Sequence, residues 1–118
     1  MTREEFRNYC LSKKGVSEGF PFDESTLVFK VMNKMFTYTD VNTFEFINLK
    51  CNPVKAMELR EKYPGIVLPG YYADKRHWNS VIMDISIGED LVYQWIDDSY
   101  NLVIAGLTKA KRQELEEL

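Results

Sequence analysis

Between Ser25 and Lys50 the chain alternates in strand fashion and is interrupted only by two short turns. This pattern constrains the fold more than any other feature. In Ser25–Met32, Leu27, Phe29 and Val31 alternate with Thr26, Val28 and Lys30, a period of two. Asn33-Lys34 predicts a tight turn, because asparagine tolerates left-handed backbone geometry. Met35–Thr39 continues as a second strand, Asp40-Val41-Asn42 turns again, and Thr43–Lys50 makes a third. Connections this short cannot cross over, so the strands form an antiparallel meander.

Helix signals flank the meander. Thr2 with Glu5 is a capping-box pattern and predicts a helix from the third residue. Phe6, Tyr9 and Cys10 form its apolar stripe, and Gly15 ends it. Val16 to Glu24 reads as a loop, broken by Gly19 and Pro21 and pinned to the core by Phe20 and Phe22. Asn52-Pro53 supplies an N-cap and a first helical residue for a second helix, which runs to about Tyr63 and stops at Pro64-Gly65. Ala56, Leu59 and Tyr63 share one face of it. Ile66–Leu68 and Tyr71–Tyr72 predict a proline-interrupted strand suited to a sheet edge. His77–Ile85 predicts the last strand, ending before Gly88. The remainder reads as helical. Glu89-Asp90 favour a helix start, Leu91, Trp95 and Ile96 form a buried stripe, Ser99 caps a second segment to Gly106, and Thr108 caps a last helix, Lys109 to Glu117.

The order α-β-β-β-α-β-β-α predicts an α+β fold, with helices packed on an antiparallel sheet. A length of 118 residues suits a single domain over 1–118. No apolar run is long enough to span a bilayer, and acidic residues stand where a signal peptide needs a basic end. The expected location is therefore cytoplasmic, with no membrane partner. Cys10 and Cys51 form no CxxC motif and read as reduced, buried thiols. Two dispersed cysteines and one histidine argue against a zinc site, and no metal or other cofactor is expected.

The net charge of −3 argues against a strongly electrostatic nucleic-acid binder. Its distribution softens that point. The first 80 residues carry twelve bases against ten acids, and the remainder carries three bases against eight acids. A basic face on an acidic protein is compatible with these counts. Lys30, Lys34 and Lys50 lie on or beside neighbouring strands and form a basic strip if they share a face.

No catalytic constellation stands out. Ser80, Ser86 and Ser99 lack the G-x-S-x-G context, and no glycine-rich phosphate loop is present. Asp97 and Asp98 are adjacent on a helix, so they point in different directions and read as solvated surface. The stretch "GYYADKRHWNSV", Gly70 to Val81, holds the only histidine beside Lys75-Arg76. Strand alternation sends Trp78, Ser80 and Ile82 to one side and His77, Asn79, Val81 and Met83 to the other. Trp78 reads as core packing, while His77 and the exposed Lys75-Arg76 tip are binding candidates.

The ordered succession "FPFDESTLVFKV", "NKMFTY", "NLKCNP", "LREKYPGIVLPGYYADKRHW" and "DDSYNLV" resembles the MmcQ/YjbR family of small bacterial proteins, from Met1 to about Arg112. The more specific elements are Pro21-Phe22, Lys34-Met35-Phe36, Lys50 with Pro53, Pro69-Gly70-Tyr71, Lys75, His77-Trp78 and Ser99-Tyr100. The resemblance implies a fold like the type III secretion chaperones, in the order α-β(3)-α-β(2)-α, with a likeness to the frataxin-type fold and a double-wing mode of DNA binding. The chain departs from the family's "GYHMNK" pattern at Tyr72, Ala73 and Asp74, and Asp74 adds negative charge to the turn.

The expectation is a non-catalytic protein whose Lys34, Lys50, Lys75, Arg76 and His77 contact DNA, mainly at phosphates. One alternative is a protein- or peptide-binding module using exposed members of Phe20, Phe22, Phe44, Phe46, Tyr71 and Tyr72. A third reading is a small-ligand site lined by His77, Lys34 and Lys50. The expected state is a monomer or weak homodimer.

Overall fold

The computed structural model describes residues 1–83 and 87–118. The first helix, α1 (Arg3–Ser12), begins where the capping pattern puts it. The Thr2 hydroxyl accepts from Glu5 N at 3.1 Å, and the Glu5 carboxylate accepts from Thr2 N at 2.9 Å. Gly15, with φ at 75°, then turns the chain into β1 (Val16–Gly19). This strand replaces the expected loop. It lacks an apolar alternation of its own, yet its residues pair with Val31, Lys30, Phe29 and Val28. Glu18 on it takes a two-pronged ion pair from Arg7 of α1. Phe20 and Phe22 do not pin this segment to the core, being 49% and 68% exposed.

The meander follows as β2 (Thr26–Val31), β3 (Lys34–Asp40) and β4 (Phe46–Lys50), all antiparallel. The β2–β3 turn is Met32-Asn33 rather than Asn33-Lys34. Both residues have positive φ, 47° and 69°, as a two-residue hairpin loop with strand-matching twist requires. The register shifts between Phe29 and Lys30, which pair with Thr37 and Met35, so Phe36 is the extra residue of a bulge. The third strand starts at Phe46 because Asp40 first caps the loop, accepting from Asn42 N and Thr43 N.

Asn52 accepts from Val54 N at 3.0 Å and Pro53 opens α2 (Pro53–Lys62). Beyond it come β5 (Val67–Pro69) and β6 (Trp78–Ile82). Tyr71 and Tyr72 lie outside any strand. The end of the strand expected over His77–Ile85 falls at 84–85, outside the described residues. The sheet has six strands in the order β1-β2-β3-β4-β6-β5, so β5 is an edge strand. The chain closes with α3 (Glu89–Ala105) and α4 (Lys109–Glu116), the latter capped by Thr108.

The α3 helix is one continuous element, because Ser99 does not cap a second segment. Its hydroxyl is fully buried, donates to Phe36 O at 2.6 Å and accepts from Lys50 N at 2.8 Å. A bulge leaves backbone groups without ladder partners, and Ser99 satisfies one of them.

The α+β class, the antiparallel sheet and the last helix stand as expected, with β1 added to the order. The helices cover one face of the sheet, called inner here. Phe6 and Cys10 of α1, Leu59 of α2, and Trp95, Ile96 and Tyr100 of α3 join Phe29, Phe36, Ile47, Leu49, Val67 and Val81 in one core. Each large apolar side chain buried there contributes about 1.5–3 kcal/mol. Among the described residues no helix is long and apolar enough to cross a membrane.

Candidate functional site

Among the described residues the outer face of the sheet carries no helix, and its centre is closed by a strap, residues 70–77. Val28, Tyr38, Asn48, Ser80 and Leu68 stand opposite one another across five successive strands. The two central polar residues, Asn48 and Ser80, are fully buried, which demands hydrogen-bond partners. The strap supplies them. Asn48 Nδ2 donates to Tyr71 O at 2.8 Å, and Tyr71 N donates to Ser80 Oγ at 2.8 Å. Ser80 in turn donates to Asn48 Oδ1, and Tyr38 OH donates to Tyr71 O at 2.5 Å. One residue of the strap, Tyr71, is thus held at both its N–H and its C=O. Burial pushes the Tyr38 phenol up from its usual pKa.

Apolar contacts complete the clasp. Trp78, Val28 and Tyr38 form a small second core, with the Tyr38 and Trp78 ring centroids 5.8 Å apart. Trp78 therefore packs structurally, as expected. Gly70 lies flat on it. A Cβ at Gly70 would come within 2.7 Å of Trp78 Cβ, so only glycine allows this approach. Tyr71 packs edge-on against Phe46 at 4.8 Å.

The strap's far half forms the corner expected to bind. The Asp74 carboxylate accepts from Arg76 N at 2.9 Å and meets His77 Nδ1 at 2.7 Å. The His77 hydrogen bond holds the Asp74 carboxyl below its usual pKa, with the Arg76 N–H adding to it. Asp74 is thus the organiser of this turn rather than a bare charge in it. Arg60 of α2 reaches under the corner. Its Nε donates to Asn79 Oδ1 at 2.7 Å and its Nη2 donates to Lys75 O. Neither Asn48, Ser80, Tyr38 nor Arg60 stood out in the sequence. The signal for Asn48 and Ser80 was an uncharged polar residue at the centre of each of two strands.

The expected contact residues divide as follows. Lys75 and Arg76 are exposed, and Lys75 Nζ donates back to Gly70 O at 3.0 Å. His77 is half-buried and tied to Asp74. Lys50 stands opposite Trp78 at the end of β4, and Cys51 N donates to His77 O at 2.7 Å, so these residues share one corner. Lys34 is exposed at the base of the β2–β3 turn. Lys30, opposite Met35, lies on the outer face two strands from Lys50, about 10 Å away at sheet spacing. Among the described residues Lys50 lines the cavity between α2 and α3, whose lining includes neither His77 nor Lys34.

The antiparallel order sorts charge along the strands. The end of β2, the start of β3, the end of β4 and the start of β6 lie together. That end collects Lys30, Lys34, Lys50, Lys75 and Arg76, none of which pairs with a carboxylate among the described residues. The N-terminus of α2, the positive end of its dipole, follows Lys50 there. The opposite end collects Asp23, Glu24, Asp40 and Glu45. Glu89, at the start of α3, belongs with them, paired to the Met1 ammonium. Asp97 and Asp98 diverge as expected. Asp97 takes Lys13 and the Tyr9 hydroxyl, and Asp98 turns toward α2. Cys10 is buried, Cys51 is half-buried, and burial pushes both thiols up.

A six-stranded antiparallel sheet with helices on one face and a hydrogen-bonded strap on the other defines the class as an α+β sheet domain. The family model YjbR matches residues 11–102, and the chain belongs to this family. It is 38% identical over 97 residues to the uncharacterized protein YbdF of Escherichia coli O157:H7, covering 81% of this chain and 79% of the relative. It is 29% identical to the uncharacterized protein YjbR of Escherichia coli strain K12, over the full length of both. Among solved structures, the Deinococcus radiodurans protein DR2400, described as a DUF419 domain, is similar at a TM-score of 0.92 and 36% identity. That match covers 98% of this chain and 88% of the other.

Proposed function

We propose that the basic end of the sheet binds DNA through its phosphate backbone, without catalysis. The observation that carries this reading is the segregation of charge. Among the described residues Lys30, Lys34, Lys50, Lys75 and Arg76 lie at one end with no carboxylate partners. Asp23, Glu24, Asp40 and Glu45 lie at the other, and Asp74 is the exception within the basic corner. The β2–β3 turn and the Asp74–His77 corner flank this end, with the start of α2 beside them. Asp74, bound to His77, lowers the positive potential of the corner but holds Arg76 in place. Protein of net charge −3 approaching DNA must therefore do so end-on. Base-specific contact has little support, since the basic end offers lysines and one arginine rather than a recognition helix.

The test is fluorescence anisotropy of a labelled duplex across a salt series. Five phosphate contacts give a slope of about −4.5 in log affinity against log salt, a loss of roughly 500-fold between 50 and 200 mM. Lys34→Glu with Lys75→Glu should abolish binding, whereas charge reversal at Asp23 and Glu24 should not weaken it. No binding at micromolar protein in low salt overturns the reading.

A second reading is an extended protein segment lying on the outer side of the sheet. It rests on Phe22, Phe20 and Tyr72, exposed by 68%, 49% and 97%. Phe44 and Phe46 are half-buried and contribute less. Salt-insensitive binding of a peptide, lost in Phe22→Ser with Tyr72→Ser, would favour it over DNA.

A further inference from the structure

A cavity of about 180 Å³ lies between α2, α3 and the inner face of the sheet. Its walls are mainly apolar, formed by Leu49, Val67 and Val81 of the sheet, Leu59 of α2, and Trp95 and Leu102 of α3. Lys50 and the buried Asn79 are also on the lining. Trp95 also stacks on Tyr63 with centroids 5.3 Å apart, which joins the two helices beside the cavity. An apolar cavity of about 150 Å³ is known to accept benzene, so this one has room for a leucine- or phenylalanine-sized side chain.

The rim has opposite chemistry on its two helices. Lys55 of α2 and Asp98 of α3 both line the cavity and both are exposed. They form no ion pair with each other. They are nonetheless within electrostatic reach. Burial pushes the Asp98 carboxyl up, Asp97 adds to this, and Lys55 pulls it back down. Lys55 and Asp98 also act in opposite directions on the Cys51 thiol. A cation and an anion thus face a shared apolar opening without neutralising one another by contact.

We propose that this cavity binds a free hydrophobic α-amino acid. Its side chain fills the apolar space, its carboxylate meets Lys55 and its ammonium meets Asp98. A monocarboxylate of the same shape leaves Asp98 facing a like charge, and a monoamine does the same to Lys55. Only a zwitterion satisfies both rim charges, which gives selectivity by repulsion as well as attraction. Of the cavity's lining only Lys50 is also assigned to DNA, and Lys55 and Asp98 are not, so variants of those two separate amino-acid binding from DNA binding.

The experiment is an NMR titration of the full chain, followed at Leu59, Trp95 and Leu102, with L-leucine and L-phenylalanine as probes. The singly charged isosteres 3-phenylpropionate and phenethylamine serve as comparators. L-phenylalanine should shift these signals and saturate, with each isostere at least about tenfold weaker. Lys55→Met should weaken L-phenylalanine about tenfold and strengthen phenethylamine by relieving its repulsion, and Asp98→Asn should do the mirror image with 3-phenylpropionate. Leu102→Trp, which fills the cavity, should abolish binding with the circular dichroism spectrum retained. The proposal is overturned if neither amino acid shifts these signals at about 10 mM, or if the isosteres bind as well as the amino acid. It is equally overturned if both exposed rim variants bind as the parent does.

Discussion

The two faces of the sheet are closed by different physics. The inner face buries Phe6, Phe29, Phe36, Ile47 and Ile96 completely, against three helices. The outer face buries Asn48 and Ser80 just as completely, against one strap residue, Tyr71, held by hydrogen bonds. Apolar closure is non-directional and tolerates small shifts, whereas a buried polar closure holds only while every partner is present. The outer face should therefore be the more specific and the more fragile of the two.

Breaking each closure separately sharpens this comparison. On the inner face, Phe36→Ala removes a fully buried ring that packs edge-on against Tyr100 at 5.5 Å. It should cost about 3–5 kcal/mol of stability in urea denaturation, with hydrogen exchange accelerated throughout the chain. On the outer face, Asn48→Leu fits the volume but orphans the Ser80 hydroxyl and one bond to Tyr71 O. A cost of about 1–3 kcal/mol is expected, with faster hydrogen exchange confined to the strap at Tyr71. A global rather than local increase would mean that the strap and the inner core unfold as one unit. Tyr72 provides the opposite test. It sits at φ 58° and is 97% exposed, so it carries left-handed strain with nothing packed against it. Tyr72→Gly should stabilise the fold by up to about 1 kcal/mol, and a loss would show that the phenol has an unseen partner.

Alkali probes one phenol on each side. Tyr9 donates to Asp97, and that bond, with burial, pushes its pKa up to about 12. Tyr38, in the strap network, is pushed up by burial. The folded state therefore holds both protons more tightly than the unfolded chain. Each contribution is complete below the ordinary phenol pKa of about 10 and is lost as pH rises through the folded value. Tyr38→Phe and Tyr9→Phe should each flatten the fall in stability above about pH 10, measured by denaturation across a pH series.

Much of the inner face was readable in advance because its signals are local. The Thr2–Glu5 capping box, the Asn52-Pro53 helix start, the Thr108 cap and the alternation of Leu27, Phe29 and Val31 all act within a few residues. The turn at Met32-Asn33 was displaced by one residue, since its type follows from strand twist rather than from asparagine alone. Val16–Gly19 was not readable as a strand, because β2 and α1 supply all its partners. Ser99 looked like a helix cap because serine favours that role. Its actual partners, Phe36 O and Lys50 N, lie 63 and 49 residues away.

The site followed the same division. The corner at Lys75, Arg76 and His77 was marked by composition, and Trp78 was correctly assigned to packing. Its supports, Asn48, Ser80 and Arg60, were missed, because each is an ordinary polar residue until the fold buries it.

By itself the sequence determined the α+β class, the antiparallel meander and most helix ends, since periodicity and capping are short-range physics. Only the tertiary structure decided that the polar centre of the outer face grips a strap, and that Lys30, Lys34, Lys50, Lys75 and Arg76 gather at the end of the sheet opposite Asp23, Glu24, Asp40 and Glu45. Both depend on which strand lies beside which, and strand order is set by contacts between residues far apart in the chain.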